Sequence, residues 1–176
     1  FNEISQEMHT FDALTPINYT RFGQWNPLVR GAAQANIARP ARMYADLYIG
    51  VSRTNDFIAN MEIYDGMSED EKAVYIGEAR FLRAYFYHRL LSSFGGVPLI
   101  VEPLADIAKA RELVRAPASD VLAQILDDLT FAENNLNETP RLVGAASKGA
   151  AIAFKARVQL YENNWEAVRD EAKKVM

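Results

Sequence analysis

The fold is decided by residues 77–100, which read GEARFLRAYFYHRLLSSFGGVPLI. Apolar residues recur there at helical spacing, and this pattern predicts one long helix. Upstream, Ser68 and Glu71 form the S-x-x-E pattern of a capping box, so the helix is expected to start near Glu69. It is expected to end at the glycine pair at 95–96, because glycine readily adopts the left-handed conformation of a helix C-cap.

The predicted helix carries two adjacent apolar stripes, which favours contacts with more than one neighbouring helix. The main stripe contains Val74, Ala79, Leu82, Phe86 and Leu90. Arg80 and Arg83 lie among these apolar residues. We interpret them as structural, pairing with Glu78 or with acids of a neighbouring helix. In the alternative interpretation the two arginines bind an anion.

Shorter helical patterns flank this helix on both sides. They run from Ala41 to Gly66, from Pro117 to about residue 136, from Ser147 to Tyr161 and from Trp165 to the end, with a connector at 99–116. Helices joined by tight turns predict an all-α fold of tetratricopeptide-like antiparallel helix pairs, an α–α superhelix. Residues 41–176 are assigned to this scaffold. Residues 1–40, which prolines and glycines interrupt, are assigned to an irregular N-terminal segment.

The composition excludes several classes of protein. The 176 residues carry a net charge of −4, whereas a nucleic-acid binder presents a basic surface to phosphates. The chain has no cysteine, so disulfides, thiolate metal sites and a cysteine nucleophile are excluded. The two histidines, His9 and His88, are far apart, and the glycine pair at 95–96 follows a helix where a phosphate-binding loop precedes one. No cofactor and no metal are therefore expected.

The best candidate for ligand contact is Trp25, within the polar stretch YTRFGQWNP at 19–27. Sugars present apolar C–H faces that stack on indole rings, while amides and guanidinium groups bind the hydroxyls. Tyr19, Arg21 and Asn26 supply such groups close in sequence. An equally good interpretation is that Trp25 pins the N-terminal segment onto the helices.

No catalytic carboxylate pair is evident. A glycan-processing enzyme needs two carboxyl groups that face a cleft ~5 to ~10 Å apart. Asp127 and Asp128 are adjacent on a predicted helix, so they point about 100° apart. Asp127 is expected to be exposed and Asp128 to make a structural contact.

Three blocks of this chain, in the same order, resemble the SusD/RagB family. They are EARFLRAYFYHRLLSSFGGVPLI at 78–100, VRAPASDVLAQILDDLTFAENNL at 114–136 and SKGAAIAFKARVQLYENNWEAVRDEAKKVM at 147–176. Asp128 matches the acidic position of the D-L-x-x-A pattern in the second block. The resemblance covers residues 41–176 well and residues 1–40 poorly.

The resemblance implies a non-enzymatic binding protein. Members of the family are outer-membrane lipoproteins of Bacteroidetes that capture glycans, or in some cases peptides, at the cell surface. They act beside a TonB-dependent transporter barrel of the SusC type. Family members are considerably longer, so this chain is expected to be an N-terminal portion, with the lipid anchor and the C-terminal part outside it. The family also tends to place an aromatic ligand contact before the first repeat helix, although no motif matches Trp25 to that contact.

The helix pairs by themselves also fit a different function. A tetratricopeptide-like scaffold can bind a protein partner through a helical groove. The sequence therefore leaves open a choice between nutrient binding and protein–protein interaction, and it does not identify a ligand.

Overall fold

The computed structural model describes residues 38–104 and 106–176, and these residues form helices joined by turns and one long connector. The helices are α1 (Ala38–Ile63), α2 (Glu69–Phe94), α3 (Ile107–Arg111), α4 (Ala118–Asn135), α5 (Lys148–Tyr161) and α6 (Trp165–Lys174). Within the described residues there is no strand, and the predicted all-α fold with tetratricopeptide-like helix pairs is confirmed. No helix in the described ranges combines the length and the hydrophobicity of a membrane-spanning segment.

Both ends of α2 lie where the sequence predicts. Ser68 Oγ accepts a hydrogen bond from the backbone N–H of Glu71 (3.3 Å), and the backbone N–H of Ser68 donates to Glu71 Oε2 (3.0 Å). These reciprocal bonds satisfy backbone donors that a helix start leaves free. At the other end α2 stops at Gly95 as predicted, and the N–H of Gly95 donates to the Leu91 carbonyl at 2.9 Å. With a φ of 72° and a ψ of −144°, Gly95 has a positive φ but does not adopt the expected left-handed helical conformation.

The buried face of α2 differs from the predicted apolar stripe. Leu82 was expected on the buried face, yet it is 47% exposed, whereas Arg83 is only 2% exposed. Tyr87 and Leu90 are completely buried on the same side as Arg83. The buried face of α2 therefore differs from the apolar stripe that the sequence predicted. A hydrophobic pattern counts arginine as a solvent-facing residue, whereas Arg83 is part of the core.

The connector between α2 and α4 is anchored at its two ends. The N–H of Ala116 donates to the Val97 carbonyl (3.1 Å), and the Arg115 guanidinium donates to the carbonyls of Gly96 and Phe94. The backbones approach so closely that a Cβ on Gly96 would lie 2.3 Å from the Ala116 carbonyl oxygen. Only glycine fits at this position.

One helix of the connector was missed. The five-residue α3 follows Asp106, whose carboxylate accepts the N–H of Ala108 at 2.8 Å. A single turn of helix carries too few residues to show a period, so the sequence pattern predicted only a connector over 99–116.

The core lies between α1, α2, α4 and α5. Helix α2 packs on α4, α4 on α5, and α5 on α6. The buried core residues are Leu47, Val51, Ala84, Tyr87, Leu90, Val97, Val121, Ile125, Leu129, Phe154 and Val158. Residues 1–37 of the predicted irregular segment lie outside the described residues. The last three residues of that segment already belong to α1, so the helical region starts at Ala38, three residues earlier than predicted.

Candidate functional site: a groove over a buried arginine–aspartate pair

The centre of the described region is a buried ion pair between α2 and α4. Arg83 donates from Nε to Asp128 Oδ2 (2.8 Å) and from Nη2 to Asp128 Oδ1 (2.7 Å). The two side chains are 3% and 0% exposed. Arg83 Nη1 donates to Asn55 Oδ1 (2.9 Å) and to the Val101 carbonyl (3.0 Å). Four of the five N–H groups of this guanidinium already donate to protein partners, so its main role is to position the helices.

A second set of polar side chains holds the extended segment that leaves α2. Asn55 Nδ2 donates to the Ile100 carbonyl at 2.9 Å. The Tyr87 hydroxyl donates to the same carbonyl (2.9 Å) and accepts the Ile100 N–H (2.7 Å). The Tyr48 hydroxyl donates to the Pro98 carbonyl at 2.6 Å. These side chains satisfy backbone groups that no secondary structure pairs, and burial raises the pKa of Tyr87 to about 12.

A groove of about 410 Å³ opens beside this polar core. It is bounded by α1, α2, α4 and residues 101–103 of the connector. Its lining consists of Asn55, Ile58, Ala59, Glu62, Ile76, Arg80, Arg83, Val101, Glu102, Pro103, Gln124, Asp127 and Phe131. The buried residues of the Arg83 network form its rigid floor, and exposed side chains form its rim.

Arg80 lies at the wall of the groove and is 22% exposed. Its Nε is 3.3 Å from Asp128 Oδ1, and its Nη2 is 3.4 Å from Asp127 Oδ2. The guanidinium carbon lies 4.4 Å from the centre of the Phe131 ring, a cation–π contact. Arg80 is therefore held in place on one side while its other side faces the groove.

The sequence predictions for the charged residues are largely confirmed. Asp127 is exposed (65%) and Asp128 is buried in a structural contact. Arg80 and Arg83 pair with acids of a neighbouring helix, as expected. Glu78, which the sequence offered as the alternative partner of these arginines, pairs instead with Arg141 at 3.0 Å.

The predicted ligand-binding residues Tyr19, Arg21, Trp25 and Asn26 lie outside the described residues, as does His9. The second histidine, His88, is 8% exposed, and its ring packs edge-on against Phe154 and Tyr161. Burial, with smaller contributions from Arg157 and Arg89, lowers the pKa of His88. It is a core residue. In residues 38–104 and 106–176, no group of acidic and histidine side chains could hold a metal ion.

A different ion-pair cluster joins the last three helices. Lys155 Nζ lies 2.9 Å from Glu133 and 3.2 Å from Glu171, and Lys174 Nζ lies 2.7 and 2.8 Å from the same two carboxylates. Burial acts to raise the pKa of Glu133, but hydrogen bonds from Lys174 and Lys155 outweigh it and lower that pKa. The alternating charges tie α4, α5 and α6 together.

The groove was not predicted from the sequence. Its only sequence signal is the pair of arginines at a spacing of three, which places both on one side of α2. Glu62, Glu102 and Gln124 reach it from three other segments, and no local pattern marks them.

Comparison with known proteins assigns the family. The sequence pattern of the SusD-like family, described as starch-binding proteins associating with the outer membrane, matches residues 3–160. The chain belongs to the SusD-like family. A SusD-like protein of Formosa agariphila is 30% identical over 128 residues, which cover 70% of this chain and 24% of that protein.

SusD-like proteins of known structure share the fold. A SusD-like protein from Bacteroides fragilis superimposes with a TM-score of 0.80 at 30% identity, covering 87% of this chain and 30% of the other. A laminarin-binding SusD-like protein gives a TM-score of 0.78 at 27% identity, covering 86% and 33%. The SusD-like chain described here spans between 24% and 29% of the length of the curated relatives that it matches.

Proposed function

We propose that this protein binds glycans at the outer-membrane surface and delivers them to a partner TonB-dependent transporter barrel of the SusC type. The observation that carries the proposal is the family match over residues 3–160, whose description combines starch binding with outer-membrane association. The similar structure of a laminarin-binding SusD-like protein supports a glucan as the ligand. The protein acts by binding alone and catalyses no reaction on the glycan.

The helical scaffold suits this role because it is rigid. Its charged core residues are hydrogen-bonded across helices, and its extended connector is fixed by side chains of α1 and α2. A rigid scaffold presents its loops in one conformation, so little conformational entropy is lost when a sugar binds.

We assign the main sugar contact to the polar stretch around Trp25. Its indole stacks on a pyranose ring, Tyr19 extends the aromatic surface, and Arg21 and Asn26 bind hydroxyl groups. Peptides are the second ligand class to compare. They would engage the same stretch through backbone hydrogen bonds instead of ring stacking.

The binding test uses affinity gels and calorimetry on the full-length protein with laminarin, starch and a peptide mixture. Trp25→Ala is expected to weaken glucan binding at least about tenfold, because a stacked tryptophan is a typical binding hot spot. The matched control is Trp165→Ala, since these are the two tryptophans of the chain and Trp165 is exposed (63%) at the start of α6. Equal binding by both variants would contradict the assignment of Trp25.

The uptake role has a separate test. Protease added to intact cells should degrade the protein if it lies at the cell surface, and affinity purification from solubilised outer membranes should recover a transporter barrel with it. Recovery of an intracellular protein partner, with no glycan or peptide binding, would favour the tetratricopeptide-like interaction scaffold.

A further inference from the structure

We propose that the groove between α1, α2, α4 and the connector is a second glycan contact, which binds a short neutral portion of the chain captured by the protein. The proposal rests on the proposed glycan-binding function and adds a site to it. The residues that carry it are Glu62, Arg80, Glu102, Asp127 and Phe131, and none of them belongs to the aromatic stretch at 19–26.

The floor of the groove is preorganised. Arg83, Asp128 and Asn55 are buried and bonded to one another and to the connector. Gln124 Nε2 also donates to Asp128 Oδ1 at 3.1 Å. A ligand therefore meets a surface whose shape and dipoles are fixed before binding, which lowers the cost of association.

The rim of the groove offers both hydrogen-bond acceptors, which are carboxylates, and hydrogen-bond donors, which belong to a guanidinium group. Glu62 and Glu102 are exposed carboxylates. Asp127 is 65% exposed, and its one contact named above, to Arg80, is long at 3.4 Å. Sugar hydroxyls donate to carboxylates and accept from guanidinium groups, so one vicinal pair can use both kinds of partner. The three carboxylates repel a small anion. Because acceptors and donors of hydrogen bonds lie side by side in the lining, the arrangement fits a neutral polyol.

The remaining walls are apolar. Ile58 and Ile76 line the α1 and α2 sides, while Val101 and Pro103 line the connector side. The half-buried Phe131 ring completes this lining on α4. A pyranose ring combines apolar C–H faces with a polar edge, and the groove combines the same two kinds of surface. Its volume of about 410 Å³ lies near the lower end of the ~300–1,000 Å³ typical of small-molecule sites, so it suits a short portion of a longer glycan.

The test pairs two glutamates of the same connector in the full-length protein. Glu102 lines the groove, whereas Glu112 is exposed elsewhere on the connector. Glu102→Ala is expected to weaken binding of laminarin or starch about tenfold in calorimetry, since a hydrogen bond to a charged group is lost. Glu112→Ala is expected to bind like the wild type. Asp127→Asn, which keeps the shape of the side chain, should also weaken binding.

A second readout locates the contact directly. Hydrogen–deuterium exchange with and without laminarin should show protection at residues 101–104 and 124–131, which a purely structural role of these segments would not produce. The same thermal unfolding midpoint in Glu102→Ala and Glu112→Ala would show that the loss of binding is not a loss of folding.

The outcomes separate this proposal from the broader one. If Trp25→Ala abolishes glucan binding while Glu102→Ala and Asp127→Asn bind normally and the groove gains no protection, the groove proposal is overturned and the glycan-binding function stands. If the wild type binds none of the glycans, both fall. If the groove variants instead lose binding of a lysine-rich peptide, the groove is a peptide site and the proposal is wrong.

Discussion

Removing the Asp128 carboxylate should destabilise the helical scaffold more than removing any exposed acid. Asp128→Ala leaves the Arg83 guanidinium buried, with two of its four hydrogen bonds lost. Arg80 Nε and Gln124 Nε2 lose a partner as well. Breaking a buried ion pair by removing one member costs about 3–5 kcal/mol. Since domains are typically stable by about 5–15 kcal/mol, this is a large fraction of the total.

The assay is urea denaturation followed by far-ultraviolet circular dichroism, with the free energy of unfolding extrapolated to water. The matched control is Asp127→Ala, one residue away on the same helix. Its carboxylate is 65% exposed and pairs with Arg80 at 3.4 Å, so the expected cost is about 0–1 kcal/mol. Equal costs for the two variants, or a cost below about 1 kcal/mol for Asp128→Ala, would show that the buried ion pair does not stabilise the scaffold.

A double variant shows whether the loss of stability comes from the unpaired charge of Arg83 or from lost side-chain packing. Arg83→Met with Asp128→Leu replaces the pair by apolar side chains of similar size. It should be much less destabilised than Asp128→Ala, because no buried charge remains unpaired. If the double variant is as unstable as the single one, the cost arises from packing and not from the ion pair.

Two further predictions concern the core and the connector. Gly96→Ala should destabilise the protein by about 1–3 kcal/mol in urea denaturation, because its Cβ would lie 2.3 Å from the Ala116 carbonyl oxygen. The control Gly149→Ala, in α5, should be neutral or stabilising by up to about 1 kcal/mol, since its nearest neighbour is 3.9 Å away and alanine favours helix. Burial, assisted by nearby arginines, lowers the pKa of His88, so the unfolded chain binds a proton there more readily than the folded one. The contribution of His88 to the free energy of unfolding is fully present above the unfolded-state pKa of about 6.5. Below that pH the contribution decreases, by at most about 1.4 kcal/mol per pH unit. Thermal unfolding at pH 7.5 and 5.5 should show a larger decrease for the wild type than for His88→Gln.

Each of these predictions has a contradicting result. A Gly96→Ala variant as stable as Gly149→Ala would mean that the connector shifts freely away from the new methyl group. Parallel pH profiles for the wild type and His88→Gln would show that protonation of this histidine is not linked to unfolding.

Much of the fold was predictable because its signals are local. The capping box at Ser68 and Glu71 and the glycine at 95 fixed the ends of α2 to the residue. The starts of α5 and α6 also lie where the sequence predicts, after Ser147 and at Trp165, whereas α6 ends at Lys174, two residues before the predicted end. Such signals depend on backbone hydrogen bonds within a few residues, so no tertiary information is needed to recognise them.

The candidate site was less predictable because its residues meet only through packing. The pairing of Arg83 with an acid of a neighbouring helix was expected, but its partnership with Asn55 and the Val101 carbonyl was not. Leu82 was expected on the buried face, but Arg83 is buried there instead, since a buried arginine is stable when a specific distant acid reaches it. That condition cannot be seen in a hydrophobic pattern.

From the sequence alone follow the helical class, the ends of α2, the starts of α5 and α6 and, through the three ordered blocks, the family. These properties follow from local hydrogen bonding and from apolar residues at a fixed period. The tertiary structure alone decided which face of α2 is buried and that residues from α1, α2, α4 and the connector enclose a groove. The reason is physical: a groove is a property of how elements distant in sequence approach one another, and side-chain contacts across 45 residues set that approach.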